Sequence, residues 1–593
     1  MRDTFSETKR TTWLAPSGLR AFVRRDGLGL FLLALVTGGL AGCCVLLINT
    51  VTLALHVLFY GLYNGGHLSE LPALPLWRCL LVLGGGGLAV GLLGAFLRRW
   101  MKRRPVDPVE ANALHGGRMS VRDSISLALQ TVLSNGVGAS IGLEAGYVQI
   151  SAAFGSWLGR VFHVRREDMR ILVGAGAAGA VSAGFDAPIA GAFYAFELVL
   201  GTYSLANLFP IALAAMAGLG VRHLTQMDGG LPSLMTGWHM GWSAVPGVGL
   251  LAILCALTAI VIMYCVTQTQ AVFQKLPVPV WLRPVLGGLL VACLAASFPS
   301  VLSAGHGGVG LVLTGQVVPS VALLLLLLKA VASCLSIGSG FRGGLFFASL
   351  FLGVLAGEGF GALLAPYGLA PADLYICSIL GMVAMATAII GGPMTMICMV
   401  LEMTGIMTLS SAVVLSATLS LLTVRRLFGY NFATWRFHLR GETIRSAVDV
   451  GGLRALTVQK LMRAQVRSFP ADMTIRQAQG QLTLGIEERL VLVDEEGRYQ
   501  GIALVSEITA ASASDRPVSS LACYRDVMLE PQMTIREAAD LFAEAEADVL
   551  AVVEDRQSRQ LVGQLSERHT LRCYAVELER SRRDLAGDGR FSV

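Results

Sequence analysis

Among the ionisable residues inside the long apolar runs of this sequence, Glu144, Asp186, Glu197, Lys329 and Glu402 stand out. A charged side chain at the centre of a membrane helix costs about 2.5–3.5 kcal/mol on insertion scales, so each is expected on a pathway or in a polar network. For Glu197, Lys329 and Glu402, pairing within the fold accounts for the charge equally well. Glu144 differs in its surroundings. It lies in GLEAGYVQI (142–150), where flanking glycines leave backbone N–H groups accessible. A helix beginning there would turn its positive end toward an anion. The chemistry such a site offers is anion binding, with the carboxylate itself as competitor. Ionised, Glu144 can occupy the place an anion wants; protonated or displaced, it leaves. No phosphate-loop pattern and no nucleophile–base set accompanies it, so an enzyme is not expected. His306, in the glycine turn SAGHGGVG (303–310), reads as a polar lining residue and not as a metal ligand.

The elements that must hold these residues are membrane helices. Of the 593 residues 54% are hydrophobic and 15% charged, with a mean hydropathy of +0.63, where a soluble chain carries about 25% charged residues. The apolar runs follow one another from about residue 28 to 428, several of them long enough to cross ~30 Å of hydrocarbon as helices. The first run follows a basic stretch without a cleavage pattern and is read as a retained helix. The 11 cysteines sit mostly in apolar runs without metal-ligand spacing, as buried free thiols. Basic clusters (Arg98, Arg99, Lys102, Arg103 and Arg104; Arg160, Arg165 and Arg166; Arg425 and Arg426) account for the net charge of +6. They are expected on the cytoplasmic side, and Thr225–Gly247, which has no Lys or Arg, outside. The membrane region, 28–436, divides into halves of about 28–224 and 248–436. Pro188 and Pro393 interrupt apolar stretches at comparable places, which points to an inverted repeat with a site at mid-membrane. A cytoplasmic segment (1–27) precedes it, and a polar linker (437–454) follows. The tail, 455–580, repeats itself: MTIRQAQGQLTL begins at Met473 and MTIREAADLFAE at Met533, each leading through a helix into two strands.

Four membrane segments together resemble one family. GAGAAGAVSAGFDAPIAGAFYAFE (174–197), SAGHGGVG (303–310), KAVASCLSIGSGFRGGLFFASLFLG (329–353) and GGPMTMICMVLEMTG (391–405) are similar, in order, to segments of the CLC chloride channels and chloride/proton antiporters. The tail resembles the tandem CBS domains that often follow. The resemblance implies a polytopic α-helical fold, an inverted repeat of broken helices, followed by a soluble α+β CBS pair. It also implies a homodimer with one chloride pathway per subunit, lined by helix N-termini, in the inner membrane of a bacterium, with lipid around it and both termini cytoplasmic. Glu144 takes the place of the family's outer gate. Gly142, Gly344, Leu345 and Phe346 fall at its anion-coordinating positions, and Glu144 and Glu197 on its proton route.

Departures from the family pattern shape the expectation. Leu143 and Gly146 replace the arginine and proline around the gate, and Ala348 replaces a proline. Arg104-Pro105-Val106-Asp107-Pro108 lacks the serine that meets the inner ion. Ala433 stands at the usual inner tyrosine, with Tyr430 nearby as the candidate substitute. Leu198 occupies the inner proton position of the antiporters. In the tail only Ser566 fits the adenine-nucleotide pattern, and both acidic ribose ligands are absent in their usual form. The expected function is passive, channel-like chloride movement without a cofactor. The alternatives are a chloride/proton antiporter of the same fold and a CBS-based sensor whose membrane part does not conduct.

Overall fold

In hydrocarbon nothing outside the chain can satisfy backbone polar groups, so apolar runs must close their hydrogen bonds internally as helices. The computed structural model of the protein is built this way. It describes residues 27–62, 66–71, 73–100, 105–225, 241–367, 371–440, 457–464, 466–482, 489–512 and 514–574. The expected N-terminal segment up to residue 26, the basic residues Lys102, Arg103 and Arg104, the outer linker from 226 to 240 and the stretch 441–456 lie outside the described residues. The chain divides into two units, 1–449 and 450–593.

The first unit is helical. Its first half holds α1 (Gly27–Tyr60), α2 (Leu76–Trp100), α3 (Pro108–Leu114), α4 (Val121–Gly136), α5 (Glu144–Val161), α6 (Arg166–Phe185), α7 (Pro188–Tyr194) and α8 (Leu205–Leu224). The second half holds α9 (Val245–Lys275), α10 (Arg283–Ser297), α11 (His306–Leu313), α12 (Pro319–Ser339), α13 (Phe346–Leu364), α14 (Pro371–Ile390), α15 (Pro393–Thr404), α16 (Ser410–Leu427) and α17 (Phe432–Leu439). Among the described residues, eight helical stretches are long and apolar enough to cross a membrane. Several of the others are short and broken. Pro188 and Pro393 each occupy the first turn of α7 and α15, where a missing N–H costs nothing. The expectation of a polytopic helical membrane unit holds.

The helices fall into two environments. Leu47, Leu81, Leu205, Phe209 and Leu327 point outward and are exposed, as side chains facing lipid should be. The α13–α14 pair is enclosed by protein instead. Gly353 and Gly381 pack against each other there so closely that a Cβ on either would overlap the other's backbone carbonyl. Small residues let membrane helices approach in this way. The cysteines are free, but Cys43, Cys265 and Cys293 are exposed on α1, α9 and α10, and so do not sit in the core as the apolar context suggested. Hydropathy cannot tell a lipid-facing helix side from a buried one.

The second unit shows the internal repeat as structure. A four-stranded sheet of order β1-β2-β3-β4 comprises β1 (Ser468–Pro470), β2 (Arg489–Val493), β3 (Tyr499–Leu504) and β4 (Ala522–Cys523). A hairpin sheet pairs β5 (Val549–Val553) with β6 (Leu561–Ser566). The two MTIR sequences do the same local work. Thr474 caps α18 (Ile475–Gln481), and Thr534 caps α19 (Ile535–Ala545). In each, Gln477 or Glu537 reaches back to the threonine's own amide, at 3.1 and 2.8 Å, which completes a capping box. Both hairpins carry an irregularity at the same point, Leu492/Val493 and Val552/Val553.

Candidate anion site

The loop 137–143 and the loop 340–345 bring the starts of α5 and α13 together. Gly142 N–H donates to Gly344 O at 2.9 Å, and Gly344 N–H donates to Gly142 O at 3.2 Å. This two-bond bridge crosses the repeat boundary and lays two helix N-termini side by side. Buried hydroxyls and an amide hold the first loop: Ser336 Oγ accepts from Ser140 N at 3.0 Å, Ser140 Oγ meets Ser333 Oγ at 3.0 Å, and Asn135 Nδ2 donates to Ile141 O at 2.6 Å. The second loop is held by Ser134 Oγ, which accepts from Arg342 N at 3.1 Å.

Glu144 opens α5 and is 5% exposed. Its Oε1 accepts a hydrogen bond from Phe347 N at 3.0 Å, an amide in the first turn of α13. Oε2 has no hydrogen-bond partner among the described residues. The carboxylate folds back over Gly142, where a Cβ would overlap Oε2. Each helix N-terminus carries roughly half a positive charge, so the carboxylate stands where two such ends converge. That is a place for a monovalent anion, occupied by the chain's own carboxylate. Aromatic rings close the surroundings. Phe185 lies 5.0 Å from Phe346 and 5.9 Å from Phe347 between ring centroids, and Tyr194 meets Phe346 edge-on at 5.9 Å.

Of the residues read from sequence, Gly142, Glu144, Gly344, Leu345 and Phe346 lie together here. Leu345 is the residue before α13, Phe346 its first residue, and the amide bonded to Glu144 belongs to the next, Phe347. Tyr430 lies elsewhere among its neighbours: its ring stacks on His438 at 4.7 Å and packs against Trp435 at 5.6 Å, with its hydroxyl 3.3 Å from His438 Nδ1. No described contact joins Tyr430 to Glu144 or Phe346. Ser566 ends β6, paired in register with Val549, and its carbonyl accepts from Thr570 Oγ1.

Glu197 and Glu402 form a reciprocal pair. Each lies nine positions after its helix's proline, 188 to 197 and 393 to 402. Glu402 accepts from Ile189 N at 2.9 Å and Ala190 N at 2.8 Å, at the start of α7. Glu197 accepts from Met394 N and Thr395 N, both at 2.9 Å, at the start of α15, and from Thr395 Oγ1 and Tyr203 Oη. Each helix of this antiparallel pair thus carries the carboxylate that meets the other's unsatisfied N–H groups. Glu197 sits in a π-helical continuation of α7, Ala195–Leu200. Lys329, 1% exposed, donates to Val301 O at 3.0 Å and Ser303 O at 2.7 Å, tying the loop before α11. Asp186 adopts a left-handed conformation (φ 59°) after α6 and pairs with His223 at 2.9 Å and Arg222 at 3.9 Å. His306 stacks on Phe347 at 3.7 Å, the residue whose amide binds Glu144.

Sequence reasoning passed over Phe347, Tyr147, Tyr194, Arg222 and Glu358. Glu358 is a buried carboxylate on α13, bonded by Ser378 Oγ at 2.7 Å. It was legible as a charge in an apolar run. The aromatic and amide groups were not, because their types are ordinary for a membrane helix.

The profile of voltage gated chloride channels matches residues 86–425, more than half of the chain. The protein belongs to the CLC family. It is 34% identical over 368 residues to a ClcB-like protein of Ralstonia nicotianae, covering 60% of this chain and 84% of that one. With the voltage-gated ClC-type chloride channel ClcB of Escherichia coli O17:K52:H18 it shares 30% over 383 residues, 63% of this chain and 90% of that one. Among solved structures it is similar to a slow cyanobacterial Cl⁻/H⁺ antiporter, with a TM-score of 0.60 at 19% identity over 69% of this chain and 97% of that one. A eukaryotic CLC transporter gives 0.59 at 15% over 91% and 98%. At these identities the two structures establish the fold. Anion transport through a multi-pass membrane protein follows from the family. The matched stretch contains Glu144 and both glycines of the Gly142–Gly344 bridge.

Proposed function

We propose that the protein moves chloride passively across the inner membrane of a bacterium, with Glu144 as the gate of each pathway. The observation that carries this reading is the Glu144 carboxylate at the convergence of two helix N-termini, hydrogen-bonded to Phe347 N. Chloride would take the same amides once the carboxylate is protonated or displaced. Gly142, Gly344, Leu345 and Phe346 would form the walls of that site.

Passive movement is favoured over exchange by two features of the inner side. Leu198 has no group that can carry a proton. Glu197, the acid beside it, is engaged by four hydrogen-bond donors, which hold it in place as a helix cap. The relatives bearing chloride-channel names agree with this, whereas the solved neighbour whose title names Cl⁻/H⁺ exchange sets the alternative. We read the protein as a homodimer with cytoplasmic termini and the tail as a CBS pair with a structural or dimerising role. Ser566 alone is a poor basis for adenine-nucleotide binding.

Purified protein in liposomes tests the reading. A chloride gradient is imposed, voltage is clamped by potassium and valinomycin, and chloride efflux and internal pH are followed together. Chloride efflux without sustained proton movement is expected. Uphill proton pumping at a fixed ratio to chloride would establish the antiporter, and no chloride flux at all would favour a sensor.

A further inference from the structure

α9 and α10, joined by the short turn 276–282, both pack on α12. Thr269 of α9 lies against Gly338, and Gly287 of α10 against Ser339, each so close that a Cβ on the glycine would overlap its neighbour. Beside these contacts the helices leave a cavity of about 700 Å³. Its walls include Cys265, Val272 and Phe273 of α9, Leu290 and Cys293 of α10, and Leu335 of α12. Cys265, Val272, Leu290 and Cys293 are exposed. The slot therefore opens on the outside of the membrane unit, toward hydrocarbon.

One end of the slot is marked by positive charge. Side chains three or four positions apart share a helix face. Lys275, exposed, lies three positions after Val272 on α9, and Arg283 lies three positions before the lining residue Leu286 on α10. Both cations thus continue the lining faces by about one turn at the same end. Arg283 is held there by its own turn, with Nη2 donating to Gln274 O at 3.2 Å and Nε to Val278 O at 3.3 Å. Trp281, 38% exposed, stands between them in sequence, and indole rings favour the membrane–water interface. α2 reaches the same level, because a Cβ at Gly91 would overlap Trp281 O, and Arg98 follows two turns later. Measured from this end, Cys265 lies ten residues from Lys275, and Cys293 ten from Arg283. Ten residues of helix span about 15 Å, half of the ~30 Å hydrocarbon core. The slot is one leaflet deep. No Asp or Glu occurs in α2, α9, α10 or the turn 276–282, so these elements carry no carboxylate to balance the cations at the mouth.

We infer that the slot binds an anionic phospholipid, with an acyl chain along the cavity between α9 and α10 and the headgroup phosphate at Lys275 and Arg283. Apolar walls alone would accept any lipid tail. The positive mouth, in line with the tail and one leaflet from the slot's far end, selects a lipid of negative headgroup. This binding is independent of how the chain moves chloride.

The test is photo-crosslinking in the membrane. Full-length protein in phosphatidylcholine vesicles receives a trace of phosphatidylglycerol with a diazirine on its acyl chain, and the labelled peptides are located by mass spectrometry. Label should concentrate in 265–276 and 286–293, and unlabelled phosphatidylglycerol should compete for it better than added phosphatidylcholine. Lys275→Gln should lower this labelling about fivefold, as expected for one basic residue at an anionic headgroup. Leu290→Trp places a larger ring in the slot at an exposed position, where the core does not feel it, and should abolish label in both stretches. Label no denser there than on the lipid-facing sides of α1 and α8 would overturn the inference. Equal competition by the two lipids, or undiminished labelling in either variant, would overturn it as well.

Discussion

Gly142→Ala is the substitution that separates the gate carboxylate from its scaffold. Gly142 has an ordinary negative φ, since it is not among the glycines of positive φ, so the backbone accepts alanine without strain. The atoms a new Cβ would meet first are all in the Glu144 carboxyl group, with Oε2 in direct overlap. These are the far end of a flexible side chain, so the carboxylate should move and the bridge to Gly344 should stay. Leaving its place, the carboxylate gives up the bond from Phe347 N at 3.0 Å. A hydrogen bond to a charged group contributes roughly 1.5–3 kcal/mol, which corresponds to a ten- to hundredfold shift of the gate equilibrium toward the displaced state. Chloride efflux from liposomes near neutral pH should therefore rise toward that of Glu144→Gln. Combining the two changes should add little, because both act on one interaction. Wild-type flux and pH dependence in Gly142→Ala would refute the reasoning. So would a full Gly142→Ala effect that persists on top of Glu144→Gln, since the methyl would then be acting on something other than the carboxylate.

Three further outcomes follow from the same geometry. Glu144→Gln should conduct with little dependence on external pH, because the amide keeps the shape of the protonated acid and cannot compete as an anion; a wild-type pH profile measured by liposome efflux would remove Glu144 from the gate. Glu402→Gln should lower thermal stability in detergent by roughly 1–3 kcal/mol. It swaps a carboxylate oxygen facing Ile189 N or Ala190 N for an amide nitrogen, and an unchanged melting temperature would show that the start of α7 does not need the cap. Truncation after residue 450 should change expression or total flux but leave the chloride/nitrate permeability ratio within experimental error, since selectivity belongs to the membrane unit. A shifted ratio in liposomes would tie the tail to the pathway.

Much of this was legible along the chain. Long apolar runs, the Thr-x-x-Gln/Glu capping boxes of the tail and a carboxylate between glycines are local patterns, because hydropathy, capping and N–H exposure depend on residues within a few turns of one another. Glu144 could be singled out for that reason, and the comparable placement of Pro188 and Pro393 hinted at the repeat. The partners of these residues could not be read the same way. Phe347 lies 203 positions from Glu144, and Met394 lies 197 from Glu197. What brings them together is the antiparallel meeting of two halves, which no periodicity within either half encodes. Tertiary structure alone decided that Tyr430 turns to His438 while Tyr194 reaches Phe346, and that Glu197 caps a helix of the opposite half. An anion site made of backbone amides has no residue signature of its own. Sequence determines where helices can begin, and the approach of two beginnings determines where an anion can be held.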